Sequence, residues 1–72
     1  MIKTQTNMYD SSTVEGSTYD YKTKDLIVTF KHATYVYYGV SEADYIGFRE
    51  SDSQGKALNK FIKPYKFTKH EE

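Results

Sequence analysis

Two apolar–polar alternations joined by a short link, followed by a change to helical spacing, predict an α+β domain. The expected architecture is an antiparallel meander of three or four strands, then two short helices packed on one face. The alternations lie at residues 26–31 and 34–40, and the helical spacing begins after Val40. The third observation is the ring content. Twelve of the 72 residues are aromatic and eight of these are Tyr. An aromatic side chain buries about 150–250 Å². A few rings therefore make a core for a chain that buries only about 60% of its unfolded surface at this size.

Residues 1–10 are polar and unpatterned and read as an N-terminal arm or an edge strand. Beyond Ser11 and Ser12 a weak alternation runs through residues 14–21, with Tyr19 and Tyr21 on one face and Thr18 and Asp20 on the other. Residues 22–25 (Lys-Thr-Lys-Asp) read as a turn. In the clearest strand, residues 26–31, Leu26, Val28 and Phe30 share one face and Ile27, Thr29 and Lys31 the other. Lys31-His32-Ala33 is short enough for a hairpin, which makes the pair antiparallel. Across residues 34–40, Tyr35 and Tyr37 fall on one face and Val36, Tyr38 and Val40 on the other.

Ser41-x-x-Asp44 resembles a capping box with Asp in place of Glu. Glu42 and Asp44 put negative charge in a first helical turn, where the helix dipole favours it. That helix is expected to reach about Glu50 and to bury Tyr45 and Phe48. Residues 51–55 (Ser-Asp-Ser-Gln-Gly) break it. Leu58, Phe61, Ile62 and Tyr65 then mark a second helix, which Pro64 ends or bends. Residues 67–72 are expected to be a C-terminal tail, either a short extended end or frayed.

Taken together, these residues resemble the KTSC domain family. That short domain is known at the C-terminus of some lysyl-tRNA synthetases and as a stand-alone small protein of bacteria or phages. The matching positions are Ser11-Ser12, Val14, Tyr19-Asp20, Leu26-x-Val28-x-Phe30, Tyr35-x-Tyr37, Val40, Ser53-x-Gly55-x-x-x-Asn59-x-x-Ile62 and Tyr65. They span about residues 11–66, nearly the whole chain. Four residues, at three places, depart from the family pattern. Ser41 stands where the family tends to have Pro, His32 and Ala33 where it tends to have Gly, and Ser17 where it tends to be apolar. The resemblance brings no established activity with it. Company with a tRNA synthetase implies an accessory module that faces RNA or protein.

Composition removes several function classes. There is no Cys, hence no disulfide, zinc-thiolate site or thiol nucleophile. His32 and His70 have no motif around them, and the carboxylates are scattered, so no metal and no cofactor are expected. Ser11 and Ser12 have no base placed beside them. Nucleophile, base and oxyanion donors are not assembled together, and the protein is expected not to be an enzyme. No apolar run reads as a secretory leader or a membrane span, which points to the cytoplasm.

Binding remains, with three candidate surfaces. Ile27, Val36 and Tyr38 lie on the second face of the strands, and with Tyr21 they are the candidate anchors for a protein partner. If no helix covers that face, it is an apolar patch awaiting one. An inhibitor or adaptor, phage-encoded and acting on a host bacterial protein, fits this reading. The alternative is RNA or single-stranded nucleic acid on a Lys stripe. Lys56, Lys60 and Lys63 follow at i, i+4 and i+7, and Lys66 extends the run. Against it stand ten Lys+Arg balanced by ten Asp+Glu, with nine Lys to one Arg. A third reading is a nucleotide or anion sponge at Ser53, Gly55, Lys56 and Asn59, at a helix start. The same residues also read structurally: Ser53 as a cap, Gly55 allowing close backbone approach, and Asn59 satisfying loop carbonyls.

Overall fold

The two alternating segments pair as a hairpin, and the sheet extends beyond them on both sides. The computed structural model describes residues 3–10 and 13–70. Along the chain run β1 (Thr4–Met8), β2 (Val14–Asp20), β3 (Leu26–Phe30), β4 (Thr34–Tyr37), α1 (Glu42–Arg49), α2 (Gln54–Ala57) and β5 (Phe67–His70). A π-helical turn, Leu58–Ile62, continues α2. The sheet order is β1-β2-β3-β4-β5, and every neighbouring pair is antiparallel. The fold is α+β, with five strands where three or four were expected. Residues 4–8 form an edge strand. Residues 67–70 are extended rather than frayed and form the opposite edge strand, with Tyr35 opposite Lys69 and Tyr37 opposite Phe67.

The weak alternation of β2 has a local cause. Val14 pairs with Phe30, but Gly16 pairs with Thr29, so one extra residue is inserted into β2. Such a bulge inverts the side-chain parity. Val14 therefore shares the inner face with Ser17 and Tyr19, and all three are buried. A side chain at Gly16 has no room, because a Cβ would lie 2.8 Å from the Asn7 carbonyl oxygen of β1. The buried Ser17 hydroxyl is hydrogen-bonded to the Tyr9 hydroxyl at 2.7 Å, which satisfies a polar group where an apolar one was expected.

Val40 also corrects its expected face. β4 ends at Tyr37, and Gly39 adopts a φ of 69°, a left-handed conformation that suits glycine. The chain then turns Val40 inward until it is fully buried. Its N–H donates to the Lys24 carbonyl at 2.8 Å, and its carbonyl accepts the Tyr19 hydroxyl at 2.5 Å.

Ser41 caps α1 through a bond from the Asp44 N–H to its Oγ at 3.2 Å. Tyr45 and Phe48 point from that helix into the core, as the spacing implied. Beyond α2 the ladder widens, and the Lys63 N–H donates to the Leu58 carbonyl at 2.8 Å. Pro64 follows immediately and has no N–H to continue the ladder, so the helix ends there. Of the four positions expected to mark this helix, Ile62 is fully buried, and Leu58, Phe61 and Tyr65 pack partly buried against the core. The core lies between the inner sheet face and the helices, with Tyr19, Leu26, Val28, Tyr37, Tyr45, Phe48 and Ile62 at its centre.

Candidate binding surface on the open sheet face

Both helices pack on one side of the sheet, and the register defines what the other side presents. One row reads Thr6, Thr18, Ile27, Val36 and Thr68 across all five strands. The next reads Met8, Gly16, Thr29, Thr34 and His70. Neither row contains Lys, Arg, Asp or Glu. Threonine and β-branched aliphatics suit a strand surface, but an exposed face normally carries charge as well. Ile27 is 36% exposed, Tyr38 43% and Met8 78%. Ile27 and Val36 are a direct cross-strand pair. Tyr38 donates its hydroxyl to Thr68 Oγ1 at 3.0 Å, which holds the phenol along the sheet. Thr6 and Thr18 join their hydroxyls at 3.0 Å at the β1 end.

Three of the four protein-interface candidates, Ile27, Val36 and Tyr38, are thus brought together. Tyr21 is not among them. Its ring packs edge-on against Tyr19 and Tyr45 at centroid distances of 5.0 and 6.1 Å, on the helix side. Its hydroxyl donates to Gln5 Oε1 at 2.6 Å. It belongs to a polar–aromatic seam that anchors the edge strand β1. In that seam Asn7 Nδ2 donates to the Tyr45 hydroxyl at 2.5 Å, and Arg49 Nη1 donates to Gln5 Oε1 at 3.0 Å. Burial pushes the phenols of Tyr9, Tyr37 and Tyr45 above their ordinary value, and that of Tyr19 up to about 12. These tyrosines stay neutral and act as structural hydrogen-bonding groups.

Lys56, Lys60, Lys63 and Lys66 are all exposed. Lys56 lies in α2 and Lys60 in the π-helical turn, whose wider step departs from the even helical spacing read from the sequence. Lys60 Nζ lies over the Phe61 ring, 5.2 Å from its centroid.

At the start of α2, Ser53 Oγ accepts the Lys56 N–H at 3.5 Å and serves as the cap. Gly55 is not sterically required, since an added Cβ meets only Thr13 at 3.6 Å. Asn59 is exposed and has no side-chain hydrogen bond to a described residue, so it does not close the loop. That task falls to Gln54, which is 7% exposed and donates from Nε2 to the Ser51 carbonyl at 2.7 Å. Gln54 carries no motif in the sequence, and its only signal there is its position directly after the capping serine. Ser11 and Ser12 lie outside the described residues. Among the described residues no cluster of His, Asp and Glu is placed to hold a metal ion, and no helix is long and apolar enough to cross a membrane.

The KTSC domain profile matches residues 10–67. The chain belongs to the KTSC domain family. Its fold also agrees with the crystal structure of a KTSC domain protein from Yersinia pestis, with a TM-score of 0.86 at 27% identity. That alignment covers 94% of this chain and 99% of the other. No curated protein matches this chain. In this KTSC domain the strand β1 precedes the matched residues, yet it completes the threonine row of the open face.

Proposed function

We propose that this KTSC domain is a non-catalytic binding module that docks a protein partner on its open sheet face, as an inhibitor or adaptor in the bacterial cytoplasm. The observation that carries this reading is the uncharged Thr18–Ile27–Val36–Thr68 row with Tyr38 beside it, away from both helices. An aliphatic pair of exposed Ile27 and part-buried Val36, flanked by a positioned tyrosine, has the make-up of an interface anchor: apolar area at the centre and hydroxyls around it. The face is also preorganised, because strand pairing and the Tyr38–Thr68 bond fix its side chains before any partner arrives.

The test uses the immobilised domain and a nuclease-treated bacterial lysate. Tyr38→Ala is expected to weaken retention of a captured protein by about tenfold or more while leaving the fold intact. Capture that vanishes on nuclease treatment, or falls steeply with salt, contradicts this reading in favour of nucleic acid on the lysines.

A further inference from the structure

At the end of the sheet remote from Tyr38, the tip of the β3–β4 hairpin separates two grooves, the first of which reaches the Thr29–Thr34–His70 row of the open face. One, of about 550 Å³, is bordered by Glu15, Lys31, His32, Thr34, Lys69 and His70. The other, of about 420 Å³, is bordered by Thr13, Phe30, Ala33 and Tyr35. Lys31 and His32 border both. The second groove continues an aromatic row that the helices leave partly open. The Phe30 and Tyr35 rings lie 5.2 Å apart, and Tyr35 stacks on Phe67 at 5.4 Å with 23° between planes. Phe67 is 55% exposed, and Phe30 and Tyr35 are half-buried. Lys31 and His32 therefore stand at one end of an accessible stacking surface.

We propose that this hairpin tip binds a nucleoside phosphate, with the base against Phe30 and Tyr35 and the phosphate held by Lys31 and His32. Base faces stack on aromatic rings irrespective of sequence, and lysine neutralises phosphate as a point charge. A carboxylate or inorganic anion makes use of the charges alone and leaves the aromatic row unused. The ligand is a free nucleotide or one unit of an RNA strand, since both present the same ring and phosphate.

The experiment measures binding of ADP, of a labelled oligouridine and of pyrophosphate to the intact chain by calorimetry and fluorescence anisotropy. ADP or oligouridine is expected to bind about tenfold more tightly than ring-free pyrophosphate. Tighter binding of ADP assigns the ligand to a free nucleotide, and tighter binding of oligouridine to a strand. Lys31→Glu, in the exposed hairpin, is expected to weaken binding by about fivefold or more without loss of fold. Tyr35→Leu keeps apolar volume and removes the ring, and it is expected to weaken binding by about threefold or more. Tyr38→Ala, on the other face, is expected to leave it unchanged. No saturable binding of either nucleotide probe, equal affinity for pyrophosphate, or unchanged affinity in Lys31→Glu overturns the proposal.

Discussion

The rings of Tyr19 and Tyr45 stack face to face, with centroids 4.2 Å apart and planes within 10°. One ring comes from the middle of the sheet and the other from α1, and both side chains are fully buried. The pair joins the two layers. Tyr45→Ala removes a ring from a closed core, at a cost of roughly 3–5 kcal/mol. A single small core supplies no more than about that amount, so the variant is expected to be largely unfolded at room temperature. Tyr19→Phe keeps the stack and loses only the bond to the Val40 carbonyl, which should cost about 1–2 kcal/mol. Urea denaturation separates the two, and equal losses would show that the stack does not join the layers.

Alkaline pH should unfold the domain in a defined window. Burial raises the Tyr19 phenol from 10.0 to about 12. Below pH 10 both the folded and the unfolded phenol are neutral, and the contribution to stability is complete. Between pH 10 and 12 the unfolded chain releases a proton that folded Tyr19 keeps, so stability falls as pH rises, by about 3 kcal/mol across the window. Tyr9, Tyr37 and Tyr45 shift in the same direction and add to the loss. Circular dichroism and phenolate absorbance should change together above about pH 10. Phenolate formation that is complete at pH 10 with the fold retained contradicts the buried, neutral assignment.

Two glycines should respond oppositely to alanine. Gly16→Ala places a methyl 2.8 Å from backbone oxygen across the β1–β2 pair, so it should destabilise by about 1–3 kcal/mol and loosen β1 first. Gly55→Ala lies in α2 with ordinary contact to Thr13, so it should stabilise by about 0.4–1 kcal/mol. Thermal melts and amide exchange of β1 provide the comparison. A destabilised Gly55→Ala would show that the backbone there needs its glycine after all.

Much of the fold is legible wherever one hydropathy period decides an element. Leu26, Val28, Tyr35 and Tyr37 sit on the core face as their alternation implies, and Tyr45 and Phe48 as their helical spacing implies. What escapes the sequence depends on single-residue events that periodicity cannot register. The inserted residue in β2 brings Val14 to the same face as Ser17, and the left-handed Gly39 turns Val40 inward. β5 is legible only as one alternative, an extended end, because its four residues are all exposed and its place in the sheet comes from pairing with β4. At the candidate site, Ile27, Val36 and Tyr38 follow from alternation alone. Tyr21 is not placed there by alternation, which puts it on the Tyr19 face, and its ring packs on that side against Tyr19 and Tyr45.

Gln54 should matter more to stability than its capping neighbour. Its amide is buried and donates to the Ser51 carbonyl, closing the loop between α1 and α2. Gln54→Ala strands that carbonyl and should cost about 1–3 kcal/mol. Ser53→Ala removes a long cap bond and should cost about 0.5–1 kcal/mol. Equilibrium unfolding orders the two, and the reverse order would return the loop's main structural role to Ser53.

The most direct test of the open-face reading is a charge placed at its centre. Ile27→Lys introduces an ammonium into the Thr18–Ile27–Val36–Thr68 row on the side away from the core. Lys60→Glu serves as the control on the helical side. With the nuclease-treated lysate, the account predicts that Ile27→Lys loses the captured protein while Lys60→Glu keeps it, both variants remaining folded by circular dichroism. Retention by Ile27→Lys together with loss by Lys60→Glu would contradict it and move the binding surface to the lysines.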